Sequence, residues 1–218
     1  MTRRTDIQRD SRPASHQLFS SSEQKADLEA RNGLLQFDEV VRLVGESRNG
    51  FKLRPSTISK LQRLAIKDIY TCAGNFRTTP VVIEGTTHEP PDAADVAEHV
   101  EELCDYVNQA WASSSALHLA AYVMWKVNWI HPFSGGNGRT SRALSYLVMC
   151  AKLGYSVPGT NTIPEQIVAN RMGYYEALDA ADAAWVEKRV DVSVMEQLLR
   201  EMLANQLSSV IDAAGLGS

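Results

Sequence analysis

Cysteine is scarce in this chain. Its three, Cys72, Cys104 and Cys150, are odd in number and lack any C-x-x-C spacing, which argues against a disulfide framework or a cysteine-held zinc site. Apolar neighbours mark them as small buried hydrophobes of a reducing compartment. Long hydrophobic runs are missing too. The longest, residues 116–130, is broken by His118, Lys126 and Asn128, and falls short of the roughly 20 apolar residues that cross a bilayer. Residues 1–12 are polar, with no apolar segment of a secretory signal. An excess of positive charge is also absent: the net charge is −4 and the pI about 5.8, which argues against a broad nucleic-acid surface. No HExxH pattern links His118 to His131, so a zinc hydrolase has no support. A cytoplasmic chain is expected, with no nucleic-acid and no membrane partner.

What is present suffices for one substantial core: 44% of the residues are hydrophobic and 22% charged. Residues 1–20 mix Arg, Asp, Ser and Pro without periodicity and read as a flexible N-terminal arm. Residues 21–212 read as a single domain. Ser21 with Gln24 resembles a capping box that starts a helix, with Gly33 as its stop. Val40, Val41, Leu43 and Val44 suggest a second helix, and Leu61, Leu64, Ala65 and Ile69 a third after Pro55. Val96, Val100, Leu103 and Val107 form the stripe of another. Further helices are expected over residues 114–129, 139–153 with Gly154 as terminator, from Thr162, over 174–184, and from Ser193 with Glu196 as its cap. Only residues 80–87 break the helical period. Val81-Val82-Ile83, the turn Glu84-Gly85 and Thr86-Thr87 have the β-branched content of a small hairpin. The fold class is therefore all-α with one small β-hairpin.

The most informative segment is His131-Pro132-Phe133-Ser134-Gly135-Gly136-Asn137-Gly138-Arg139-Thr140-Ser141-Arg142. Backbone N–H groups at a helix start have no intrahelical acceptor, so a glycine-rich turn feeding a helix makes an anion site. Gly136 and Gly138 permit close approach by phosphate oxygens. Asn137 tolerates a left-handed backbone and offers its side-chain amide. Arg139 and Arg142 share a helix face and can fork onto phosphate oxygens. His131, at the other end of the loop, suits a general base, since an ordinary imidazole titrates near 6.5. No carboxylate lies inside the loop to hold a metal.

This segment closely resembles the signature of the Fic family, His-x-Phe-x-Asp/Glu-Gly-Asn-Gly-Arg-x-x-Arg, through His131, Phe133, Gly136, Asn137, Gly138, Arg139 and Arg142. Leu28-Glu29-Ala30-Arg31-Asn32, Ala73-Gly74-Asn75-Phe76-Arg77, Trp129-Ile130 and Tyr174-Tyr175-Glu176-Ala177-Leu178 are similar to further segments of the family. The resemblance implies a Fic-like helical domain that moves AMP from ATP to a Ser, Thr or Tyr hydroxyl of a target protein. It assigns His131 as the base that deprotonates that hydroxyl. It assigns Gly136, Asn137, Gly138 and Arg139 to the phosphates, with Arg142 completing the clamp and Phe133 in the core.

The resemblance also likens the hairpin to the family's flap, so that Val81, Val82, Ile83, Glu84, Gly85 and Thr86 would dock the target through its main chain. An exposed strand edge suits that role physically. One departure stands out. Gly135 occupies the position of the carboxylate that in the family holds Mg²⁺, so Mg²⁺ should be held weakly and turnover should suffer more than ATP binding. No glutamate has Ser or Thr four residues earlier, so the family's inhibitory pattern is absent and a separate inhibitor protein, or none, is expected. Two other readings stay open: a catalytically impaired nucleotide-binding or protein-docking module, and a transferase of another phosphate-linked group such as UMP or phosphocholine.

Overall fold

A computed structural model describes Arg9 and residues 16–213. These residues form eight α-helices: α1 (Ser22–Glu46), α2 (Pro55–Ala65), α3 (Val96–Gln109), α4 (Ala116–Ile130), α5 (Asn137–Leu153), α6 (Ile163–Ala169), α7 (Met172–Val186) and α8 (Ser193–Ala213). The all-α expectation holds. No described helix is long and apolar enough to cross a membrane.

Helix α4 is the centre. Every residue from Leu119 to Val127 is buried, as expected of a helix that is apolar on all sides. It packs against α3, α5, α7 and α8. Helix α5 lies along it and buries an unbroken stretch from Leu144 to Ala151. The loop joining these two helices is therefore anchored in the core at both ends. Local signals set the boundaries: Ser115 Oγ accepts from His118 N at 3.0 Å to start α4, and Gly154 at φ 85° ends α5. Thr162 and Glu165 form a capping box at the start of α6.

Lys126 is the one charge in the buried stretch of α4. Its Nζ lies 3.8 Å from the ring centre of Trp129, 4.2 Å from Trp185 and 5.4 Å from Trp125. Burial pulls its pKa down to about 8, and the three indole faces offset part of that desolvation.

Three expectations are corrected. Gly33 does not stop a helix: α1 runs unbroken because Asn32, Gln36, Val40 and Val44, four apart, form one continuous buried stripe. Asn32 Nδ2 donates to Lys67 O at 2.7 Å and Gln36 Nε2 to Leu61 O at 2.9 Å, so polar residues carry the packing face across the glycine. At α8 the capping oxygen belongs to Asp191, which accepts from Ser193 N at 3.1 Å and from Ser193 Oγ at 2.7 Å. The hairpin over residues 80–87 forms no ladder among the described residues, only an isolated bridge position at Ile83. Pro80, Pro90 and Pro91 have no N–H to give, and Thr86 Oγ1 takes the His88 N–H at 3.1 Å. A lone two-stranded ribbon has little to replace those bonds. Of the segment expected as an arm, Arg9 and residues 16–20 are described, the rest lying outside the described residues. Gln17 bridges Tyr70, and Leu18 N donates to Ile69 O at 2.9 Å.

Gln206 of α8 ties down the chain between α5 and α6. Its fully buried amide donates to Tyr146 Oη and Val157 O, both at 3.1 Å, and accepts from Ile163 N at 3.1 Å. Gln206→Leu leaves those partners orphaned in the interior. It should cost about 2–3 kcal/mol, read as a lower midpoint in chemical denaturation at unchanged slope.

Candidate active site

His131 caps α4 in a left-handed conformation, φ 49°, with its N–H on Val127 O at 3.0 Å. That backbone costs a non-glycine residue about 1–2 kcal/mol, and the surroundings hold it there. Arg77, 3% exposed, donates Nε to His131 O at 2.8 Å and Nη2 to Ile130 O at 3.3 Å. It also reaches Thr79 O and Pro91 O. Its own N–H binds Pro132 O at 2.9 Å. One buried guanidinium thus satisfies the open carbonyls at the end of α4 and tethers residues 77–91 to them.

The rest of the loop is closed by its own side chains. Asn137 Nδ2 donates to Phe133 O at 2.7 Å and Asn137 Oδ1 accepts from Phe133 N at 3.0 Å. The amide expected to meet a ligand is therefore a staple of the loop. Phe133 is fully buried against Phe76, ring centres 5.3 Å apart. Of the loop's glycines, Gly136 uses the left-handed region, φ 77°, as the residue before α5, and a Cβ there would stand 2.7 Å from Ile66 Cγ2. Gly138 is helical, and its bare face lets Arg142 Nη1 lie 3.3 Å from where a Cβ would be. Gly135 O accepts from Gln62 Nε2 at 3.0 Å.

A cavity of about 710 Å³ opens over this loop. His131, Gly136, Asn137, Gly138, Arg139 and Arg142 all line it, as do Ile83, Glu84 and Thr86 of the expected flap. Of the other flap residues, Val82 is 81% exposed, while Ile83 at 8% pins the segment to the domain. The sequence pattern did not single out Arg171, Asn128, His88, Asp182 and Arg9, which line the cavity as well. His88 Nε2 meets Trp129 O at 2.8 Å, and its Nδ1 lies 3.5 Å from Asp182 Oδ2. Asp182 also accepts from Trp125 Nε1 at 2.8 Å, and burial raises its pKa. Arg9 forks onto Asp179 at 2.8 and 2.7 Å and stacks on Tyr175.

The cavity's electrostatics are divided. Burial pulls the His131 imidazole down to about 3, so it is neutral at physiological pH, and its ring bonds the backbone of Asn128. Arg139 is turned outward: Nη1 donates to Ala65 O at 3.1 Å and Nη2 pairs with Glu29 of α1 at 3.4 Å. Arg142 keeps its guanidinium at the cavity, desolvated enough to lower its pKa, and makes no ion pair among the described residues. The loop offers a divalent cation few protein ligands. Gly135 contributes only a carbonyl already bonded to Gln62, Glu29 faces Arg139, and no group of three His, Cys, Asp or Glu stands together among the described residues.

Gly136→Ala would force a Cβ into Ile66 at a left-handed backbone position. It should lower stability by about 1–3 kcal/mol, read as a lower midpoint in chemical denaturation.

Residues 52–149 match the model of the family described as Fic/DOC family. The chain is 32% identical over 158 residues to "Protein adenylyltransferase Fic" of Drosophila willistoni, covering 66% of this chain and 30% of that protein. It is 35% identical over 78 residues to "Protein adenylyltransferase fic-1" of Caenorhabditis elegans, covering 35% of this chain and 15% of that protein. The chain thus spans about 30% of the length of the first of these curated relatives. Among solved structures, a Fic domain containing signaling protein from Bacteroides thetaiotaomicron superposes with a TM-score of 0.74 at 19% identity, covering 92% of this chain and 78% of that one. Fic-1 from C. elegans gives 0.65 at 22%, covering 86% and 52%. These two likenesses establish the fold. Residues 52–149 thus carry a Fic/DOC family domain, and the named relatives and the shared fold agree with that match.

Proposed function

We propose that this chain, through a domain of residues 21–212, transfers AMP from ATP to a Ser, Thr or Tyr hydroxyl of a target protein. The observation that carries this reading is the joint placement of a neutral imidazole, His131, and an uncompensated guanidinium, Arg142, on one cavity over the N-terminus of α5. The adenylyltransferase names of the relatives point the same way.

The target hydroxyl approaches along Ile83, Glu84 and Thr86. His131 accepts its proton as the oxygen attacks the α-phosphorus. The new O–P bond forms, the bond between the α- and β-phosphates breaks, and pyrophosphate leaves. The N–H groups at the start of α5 and the Arg142 guanidinium stabilise the charge on the transferring and leaving groups. By itself the imidazole is a weak base, because burial disfavours its cation. A polyphosphate bound beside it supplies negative charge and raises that basicity when it is needed.

Gly135 favours a second reading, a nucleotide-binding module without turnover. Intact-mass measurement of candidate targets incubated with ATP separates the two. A gain of one AMP per target that disappears with His131→Ala supports transfer, and nucleotide binding without any mass gain supports the module. The same assay with UTP and phosphocholine donors tests the choice of group.

Protonation gives a further check. His131 stays neutral until about pH 3, so kcat/KM should show no acid limb between pH 8 and about 5.5. A half-fall centred near 6.5 would mark an ordinary, solvated imidazole instead. The unfolded chain takes up this proton near 6.5 and the folded one only near 3. Stability should therefore fall as pH falls through that window, with this contribution flat above it.

A further inference from the structure

Arg171 is the last residue before α7 and lies outside the signature loop. It lines the same cavity as Arg142. Neither forms an ion pair among the described residues, although Arg139, the nearest other guanidinium in sequence, has Glu29. The acids that line the cavity are engaged elsewhere or set apart. Glu29 faces Arg139 and Lys25 on α1, at 3.4 and 3.8 Å. Asp182 sits with Trp125 and His88. Glu84 belongs to the loop opposite. Arg171 and Arg139 each make protonation of Arg142 harder, so the three cations are close enough to repel. A fold that keeps like charges together, with one of them largely stripped of water, is completed by an anion.

We infer that Arg171 joins Arg142 as a second guanidinium of a polyphosphate site, and that these side chains replace a divalent cation in neutralising it. The inference deepens the transfer reading and rests on it for the identity of the ligand. The chemistry follows from what position 135 lacks. With Gly135 there is no carboxylate to draw a cation to the phosphates. Two planar donors together with about half a positive charge from the start of α5 supply the missing neutralisation. Guanidinium groups stay charged at every pH where the protein is folded and need no loading.

The test measures binding of ATP and of inorganic tripolyphosphate to the whole chain by calorimetry, in EDTA and in Mg²⁺. Wild type should bind both probes in EDTA within about threefold of its affinity in Mg²⁺. Arg171→Gln should weaken both about tenfold or more in EDTA, the loss of one charged hydrogen-bonding group. Arg171→Lys should recover part of that loss, and an unchanged melting temperature shows that the variants fold. Gly135→Asp should make binding respond to Mg²⁺.

Affinity that collapses in EDTA, or that ignores Arg171→Gln, overturns the inference. Arg171-dependent binding of tripolyphosphate without binding of ATP upholds the site and sinks the nucleotide reading. ATP bound in the expected way, with no His131-dependent mass gain on any target, leaves the guanidinium site standing while the transferase reading fails. Binding of neither probe removes both.

Discussion

The buried guanidinium of Arg77 is the contact on which the site depends. A helix as apolar as α4 must end somewhere inside the protein, and its last carbonyls then face no water. Arg77 answers that need by donating to Ile130 and His131 at once, and the same side chain reaches Thr79 and Pro91. Holding the carbonyl of His131 fixes the left-handed turn that aims the imidazole at the cavity. Holding Thr79 and Pro91 sets the track of the segment along which a target would approach. Burial lowers the pKa of this arginine, with Asp92 partly offsetting the effect, yet guanidinium charge persists far into the basic range. The imidazole, the loop and the segment from Thr79 to Pro91 share one fastener.

A second constraint is the division of labour inside the signature loop. Asn137 and Phe133 close the loop on themselves, Gly136 supplies the one backbone turn that no side chain tolerates, and Gly135 hands its carbonyl to Gln62. Most of the signature therefore builds a rigid rim, leaving His131, Arg142 and the first N–H groups of α5 to meet a ligand. That rigidity matters for charge. A preorganised set of donors does not have to reorganise when a phosphate arrives, whereas flexible cations would collapse onto nearby carboxylates, as Arg139 does with Glu29.

How much of this was legible follows from where the information lies. Helix period, caps and terminators are local, so α2 to α7 can be read to within a few residues. The signature loop reads directly because its chemistry is contiguous in sequence. The misread elements are those decided at a distance. Gly33 looks like a stop until Asn32 and Gln36 find carbonyls on the segment after α1. Residues 80–87 have strand-like composition, but the segment is held from its flanks, at Thr79 and Pro91 by Arg77, and forms no ladder among the described residues. Arg171 and Asp182 gain significance only through the cavity, 29 and 40 residues beyond Arg142. No window along the chain contains that information.

Lys126 shows how the same core imposes its terms one turn ahead of the site. Its ammonium is surrounded by three tryptophans, of which Trp129 also lines the cavity and offers its carbonyl to His88. Removing the charge would relieve desolvation but would also loosen the indoles that brace the end of α4. Trp125 extends the brace to Asp182, and Asp182 to His88. Trp129, His88 and Asp182 line the cavity together with the guanidinium groups of Arg9, Arg139, Arg142 and Arg171. Several guanidinium groups around one cavity attract an anion before any specific hydrogen bond is formed.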